Sequence, residues 1–249
     1  MNRQIKFVIA ILAIVTVSST RAKADEAFDD VKATPKKSAP AQSAESRAKV
    51  TPVKGKISDS DWRLALGLNY MPSSTDGQFS ETVASNGVDS IKGSATVSLD
   101  PGAAVVIEAR KMKPNSWGAL AGLNYELERK VKKVRFNFNG TIIEDNPSDR
   151  MQFTTIYGSG VYQWDNFYMP MGLNYSLGNY KMDGAEKNPS VKGSVGAQVG
   201  AGYFVSPNFA IEANAWITSC AIKSEFPGLT IENNNGRFAN VVATGKYVF

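Results

Sequence analysis

The sequence predicts an all-β fold: an eight-stranded, antiparallel, up-and-down transmembrane β-barrel preceded by a disordered N-terminal tail. Three observations carry the prediction. Arg237–Phe249 alternates without a break and stops on an aromatic ring, with Tyr247, Gly245, Ala243, Val241 and Ala239 on one face and Val248, Lys246, Thr244, Val242 and Asn240 on the other. Trp62–Tyr70 alternates in the same way, setting Trp62, Leu64, Leu66, Leu68 and Tyr70 opposite Arg63, Ala65, Gly67 and Asn69. Turns between such segments are short at one end of the series and long at the other. Period two excludes an amphipathic helix, which would scatter the polar groups around its circumference. A strand apolar on one face and polar on the other suits a wall between lipid and a polar interior.

The first residues read as a secretory leader. Met1–Lys6 carries Arg3 and Lys6, Phe7–Val17 is an apolar run of 11 residues, and Arg21-Ala22-Lys23-Ala24 ends in small side chains. The run is too short to span a bilayer, and cleavage is expected after Ala24, making residues 1–24 a signal peptide. Four of the 28 basic residues and none of the 23 acidic ones lie there, which leaves 24 against 23. The mature chain is therefore near neutral, and its charge gives no support to a nucleic-acid partner. Residues 25–56 are rich in Ala, Lys, Pro and Ser, with almost no large apolar side chain apart from Phe28. Such a segment cannot bury enough surface to offset the entropy of ordering, and it reads as a disordered tail. The barrel is assigned to residues 57–249. Cys220 is the single cysteine, so no disulfide framework is expected and an inert small residue is the favoured reading.

The wall strands follow in order. After Trp62–Tyr70, Ala103–Lys111 returns with Glu108 and Arg110 on one face, and Lys113-Pro114-Asn115-Ser116 turns the chain into Trp117–Glu128. Gln152–Trp164 returns, Asp165-Asn166 forms a two-residue hairpin turn, and Phe167–Gly178 goes out. Ser194–Val205, Phe209–Thr218 and Arg237–Phe249 complete eight strands. The tetrapeptide Gly-Leu-Asn-Tyr at residues 67–70 recurs at 122–125 and 172–175, on strands that run in the same direction. Met71–Gly102, Arg129–Met151, Asn179–Gly193 and Ser219–Gly236 are polar, rich in Gly, Asn and Asp, and read as long loops. Aromatic residues mark both edges: Trp62, Trp117, Trp164, Phe167, Phe209 and Tyr247 at the short-turn end, and Tyr70, Tyr125 and Tyr175 toward the loops. Such rings favour the half-wet headgroup level, and nine tilted residues between them rise about 20–25 Å.

With these features the chain resembles small eight-stranded outer-membrane barrels of the OmpA/OmpX type, within the opacity-like and OmpW-like superfamily. The leader, the alternating strands from Trp62 to Phe249 and the terminal Tyr247-Val248-Phe249 carry the resemblance. It implies an outer-membrane location with short turns and tail in the periplasm and long loops outside. It also implies contact with outer-membrane lipid and lipopolysaccharide, and a C-terminal strand, with Tyr247 and Phe249, read by the barrel-assembly machinery. An OmpA-type peptidoglycan-binding domain is not expected, so a cell-wall tether would have to come from the tail.

Chemistry is constrained by the absence of histidine. The barrel enzymes of the resembling families typically use a histidine as general base, and without one the Ser and Asp residues have no evident activator. No catalytic residues, metal ligands or cofactor are expected. Alternation places Arg63, Glu108, Arg110, Glu126, Glu128, Glu212 and Lys246 in the lumen, with Asn69, Asn124, Asn174 and Asn214 between them. An eight-stranded interior is just wide enough for side chains to fill, so these charges read as a salt-bridged plug or, alternatively, as a gate. Inward glycines, among them Gly67, Gly122, Gly172, Gly200 and Gly202, leave room for water. The basic run that opens at Arg129 reads as a solvated hairpin, with a lipopolysaccharide or partner contact as the alternative. The expected role is structural and surface-interactive, with a narrow OmpW-like channel for small or hydrophobic solutes as the alternative.

Overall fold

The computed structural model describes residues 62–185 and 187–249; the expected leader and tail lie outside the described residues. Among these there are twelve strands and no helix. They are β1 (Arg63–Met71), β2 (Thr75–Ser85), β3 (Ser90–Leu99), β4 (Gly102–Lys111), β5 (Ser116–Glu126), β6 (Arg129–Phe138), β7 (Thr141–Asp145), β8 (Arg150–Trp164), β9 (Phe167–Lys181), β10 (Ser190–Ser206), β11 (Phe209–Phe226) and β12 (Leu229–Val248). All pairings are antiparallel in one sheet.

The sheet closes on itself at two levels. At the lower level β1 bonds to β4 on one side and β12 on the other, so pairing runs β1-β4-β5-β8-β9-β10-β11-β12 and returns to β1. At the upper level β12 pairs with β2, β2 with β3, β3 with β6, and β6 with β8 through Arg129↔Met151 and Lys130↔Arg150. Chain order explains this: β1 and β2, β3 and β4, and β5 and β6 are paired off by two or three intervening residues, each couple climbing or descending one side of the barrel. The strands β9 to β12, 15 to 20 residues long, run through both levels. Two-residue tips such as Asn139-Gly140, both at positive φ, close the upper hairpins.

The long connections expected as loops are thus largely strand. Met71–Gly102 holds β2 and β3, Arg129–Met151 holds β6 and β7, and the other two are shortened by extensions of β9, β10, β11 and β12. Polar, Gly- and Asn-rich composition hid an alternation that is present. In β6, for example, Val131, Val134, Phe136 and Phe138 are buried while Lys130, Lys132, Arg135 and Asn137 are exposed.

The two levels are inside-out relative to each other. In the lower level large apolar side chains face outward, Leu68 being 69% and Leu173 63% exposed, while Asn69, Glu108, Arg110, Glu212 and Lys246 are buried. In the upper level the interior is an apolar cluster that includes Phe79, Phe136, Phe138, Phe153 and Phe238. A water-soluble barrel would not surround itself with such an apolar band. The lower wall has the pattern of an outer-membrane-type barrel, and the upper level that of a protein domain in water.

A charged plug beneath an apolar cup

The lower lumen holds a cluster of two acids, two bases and two tyrosines. Glu108 and Arg110 stand on the inward face of β4, Glu212 on β11, Lys246 on β12, Tyr157 on β8 and Tyr168 on β9. Arg110 is ion-paired to Glu108, with Nε 2.7 Å from Oε1, and its Nη2 lies 3.0 Å from Glu212 Oε1. Lys246 Nζ donates to Glu108 Oε2 at 2.8 Å and to Glu212 Oε2 at 2.7 Å. Tyr157 Oη donates to Glu108 Oε2 at 2.8 Å, and Tyr168 Oη to Glu212 Oε1 at 2.6 Å. Asn214 Nδ2 adds a bond to Glu212 Oε2 at 3.2 Å, and the Arg110 guanidinium lies 5.5 Å from the centre of the Tyr168 ring. The formal charges of the four ionic groups sum to zero, and every carboxylate oxygen accepts at least one bond. That is the condition under which a buried ionic cluster is tolerated.

The inward glycines hold side chains rather than water. A Cβ at Gly122 would lie 2.6 Å from Tyr157 Oη, and one at Gly202 would lie 2.3 Å from Tyr168 Cζ. The repeated Gly-Leu-Asn-Tyr has the same use each time. Gly67, Gly122 and Gly172 face inward at crowded points, Leu68, Leu123 and Leu173 face outward, and Asn69, Asn124 and Asn174 are buried. Tyr70, Tyr125 and Tyr175 face outward at the upper edge of the band. Asn69 Nδ2 donates to Asn124 Oδ1 at 2.6 Å, forming part of a polar layer above the plug. Two cavities of about 10 Å³ each adjoin the plug and this layer, room for a single water apiece.

Two of the charges expected in the lumen stand elsewhere, and a third is inside but outside the network. Arg63 is half-buried at the short-turn rim, where its guanidinium donates to the backbone carbonyls of Phe249 (3.0 Å), Val248 and Pro207 (both 3.3 Å). Glu128 is exposed on the outer surface, ion-paired to Lys181 and to Arg150 at 3.4 Å. It follows the end of β5, where the alternation that put Glu126 inside is broken before β6 begins. Glu126 is buried, and its Oε2 has no hydrogen-bond partner.

Arg129, read as the start of an exposed basic run, is buried where the two levels meet. Its Nε donates to Asp100 O at 2.7 Å, Nη1 to Asn240 Oδ1 at 3.2 Å and Nη2 to Thr75 Oγ1 at 2.9 Å. Asp100 lies at the break between β3 and β4, Thr75 opens β2 and Asn240 stands on β12, so one side chain joins the segments that change level to the through-running wall. Tyr157 and Tyr168 are not among the residues expected in the lumen from sequence, and Arg129 is expected in an exposed hairpin. Alternation along β8 and β9 puts the tyrosines on the polar face, but for Arg129 no local signal existed.

Above Arg129 the upper level encloses an apolar cup of about 270 Å³. Val97, Val134, Phe136, Ile222, Phe226 and Ile231 line its walls, and Asp145, Asp149 and Asp183 stand among its polar lining groups. Asp149 is buried; Tyr180 Oη donates to its Oδ2 at 2.7 Å and the Asp183 amide to its Oδ1 at 2.9 Å. Burial pushes its carboxyl above the usual range against the lowering effect of those bonds, and Asp145 and Asp183 push it further up. Among the described residues no group of three or more His, Cys, Asp or Glu is arranged to hold a metal ion. Cys220 is buried in the wall of the upper interior.

Of the aromatic residues expected at the band edges, Trp62, Tyr70, Trp117, Tyr125, Trp164, Phe167, Tyr175, Phe209 and Tyr247 are all exposed on the outer surface. Tyr247 and Phe249 pack edge to face, with ring centres 5.1 Å apart. The Phe249 amide donates to Leu64 O at 2.8 Å, which seams the last residue to β1.

No family model matches the sequence, and no curated protein does. Among solved structures the chain is similar to the outer membrane protein OprG of Pseudomonas aeruginosa, at 13% identity over 77% of this chain and 96% of that one, with a TM-score of 0.44. It is similar to Ail, the attachment invasion locus protein of Yersinia pestis, at 14% identity over 77% and 99%, with a TM-score of 0.36. It is also similar to the outer membrane protease OmpT of Escherichia coli, at 12% identity over 78% and 98%, with a TM-score of 0.34. Outer-membrane proteins are what the sequence led one to expect here. At these identities the likeness is one of strand arrangement, and no activity passes from it to this chain.

Proposed function

We propose that this chain is a non-enzymatic outer-membrane barrel with eight membrane-crossing strands, a closed lumen and a working face outside the cell. The circuit β1-β4-β5-β8-β9-β10-β11-β12 forms the crossing wall, with the exposed aromatic residues at its two headgroup levels. In this reading residues 1–24 are the removed leader, residues 25–56 a periplasmic tail, and Tyr247 and Phe249 the segment offered to the assembly machinery. Lipid and lipopolysaccharide surround the wall. The single observation that carries the reading is the Glu108–Arg110–Glu212–Lys246 cluster, a set of mutually satisfied charges reaching across the lumen. A side-chain plug of this kind supports a structural and surface-interactive role over conduction.

Single-channel recording of the refolded protein in a planar bilayer tests it. A folded, silent barrel is expected. Steady unitary openings that change when Lys246 or Glu212 is neutralised would overturn the closed-lumen reading.

A second reading is favoured by the cup. An open-mouthed, largely apolar recess of about 270 Å³ in the upper level supports capture of small apolar molecules, the OmpW-like alternative without through-conduction.

A further inference from the structure

The wall of the cup that β11 and β12 form is not wholly apolar. Ser224 and Asn233 line it among the isoleucines, and they are only 9% and 6% exposed. Ile231 is the register partner of Ser224 and Ile222 that of Asn233, so the two polar groups are diagonal neighbours, about 7–8 Å apart. Thr82 is fully buried, and its hydroxyl donates to Asn233 Oδ1 at 2.8 Å. A buried hydroxyl proton needs an acceptor, so this bond fixes the amide with its oxygen toward Thr82 and its NH2 group left over. Among the described residues neither Asn233 Nδ2 nor the Ser224 hydroxyl has a hydrogen-bond partner. The recess thus presents two side-chain donors with nothing to receive them. A hydrocarbon guest would strip water from both without replacing it, whereas a guest carrying an acceptor oxygen would satisfy them.

We propose that the cup binds small neutral carbonyl compounds, with the carbonyl oxygen accepting from Asn233 Nδ2 and Ser224 Oγ and the hydrocarbon against Val97, Ile222 and Ile231. This rests on the second reading above and adds the chemical class of the guest. The volume lies just below the usual range for ligand pockets, which limits the body to one ring or a short chain. A purely donating group finds no complement at Asn233, whose one acceptor is already taken by Thr82.

Acetophenone and isopropylbenzene separate the carbonyl from the apolar contact, because they have nearly the same shape and differ by an oxygen in place of a methyl group. Each is titrated into the full chain in lipid nanodiscs with labelled Ile and Val methyl groups, against its free aqueous concentration. Val241, which faces lipid, reports partition into the bilayer. Saturable shifts at Ile222, Ile231 and Val97 are expected for acetophenone, at least tenfold tighter than for isopropylbenzene. The Asn233 side-chain amide protons should move with the same titration. Ser224→Ala should weaken acetophenone severalfold and leave isopropylbenzene unchanged. Asn233→Asp, which keeps the oxygen that Thr82 needs, should weaken acetophenone likewise. Equal affinity of the two probes, or an unchanged acetophenone affinity in Ser224→Ala and Asn233→Asp, would overturn the carbonyl preference while leaving an apolar cup. Shifts at Val241 alone, with none in the cup, would overturn the preference and the second reading together.

Discussion

Lys246 Nζ lies 2.8 Å from Glu108 Oε2, although β12 and β4 are separated by β1. The side chain crosses β1 over Gly67, its own register partner, where an added Cβ would stand 2.7 Å from Lys246 Cγ and 2.7 Å from Gly245 O. The first glycine of the repeated tetrapeptide is therefore the passage by which one wall strand's charge reaches the next but one. Gly67→Val should displace Lys246 and loosen the plug, at a cost of about 1–3 kcal/mol from overpacking alone. Urea unfolding of the refolded barrel, with bilayer recording alongside, would show this. An unchanged midpoint and continued silence would mean that the plug does not depend on the crossing.

Two of the inward glutamates, Glu108 and Glu126, should respond differently to loss of charge. Glu108 bonds Arg110, Lys246 and Tyr157, so Glu108→Gln leaves a buried cation uncompensated, at a cost of about 3–5 kcal/mol. Glu126 belongs to no ion pair among the described residues, and one of its oxygens is unpartnered. Glu126→Gln should stay within about 1 kcal/mol of the parent or exceed it, since a buried carboxylate with an unpartnered oxygen is a cost. Equal losses in the two variants would show that burial depth, not pairing, governs the lumen.

The inside-out relation of the two levels makes a positional prediction. Arginine at Leu66, outward in the lower wall, should cost about 2–4 kcal/mol if that residue lies near mid-depth. Arginine at Gln78, outward on β2 in the upper level, should be close to neutral because it meets water. Folding titrations into lipid bilayers read both directly. Similar penalties at the two sites would put the membrane boundary above Gln78.

Where alternation and apolar content agreed, as in β1 or the end of β12, the sequence was legible to within a residue or two. It was not legible in β2, β3 and β6. There the outward residues are polar because they face water and the inward ones apolar because they pack together, so the pattern is the reverse of that in the wall below. The plug's acids and bases could be assigned to one face by period two. Their pairing could not, because Glu108 and Glu212 are 104 residues apart in sequence and meet only through the closure of the sheet. Glu128 shows the converse: a break of two residues after β5 suffices to turn an expected lumen group outward.

Asp149 gives the upper level a pH dependence whose sign follows from its surroundings. Its folded-state carboxyl is raised above the ordinary range, first by burial and then by Asp145 and Asp183, while the bonds from the Asp183 amide and Tyr180 act the other way. No cation pairs with it among the described residues, and Val131 N donates at 2.9 Å to its backbone oxygen. A raised carboxyl favours the protonated folded form. That contribution is complete below the unfolded pKa of about 3.9 and is lost as pH rises through the higher folded value. Lowering pH from neutrality toward the unfolded value should therefore protect this corner of the barrel rather than loosen it. Exposed acids such as Glu144, held down first by the bond from Lys133, should lose stabilisation over the same descent. Amide hydrogen exchange at Val131 and Asp183, corrected for intrinsic rates, separates the two trends. Protection at both should increase on mild acidification in the parent chain and become flat in Asp149→Asn. A fall in protection in the parent would mean that the bonds from Tyr180 and Asp183 outweigh burial at this site.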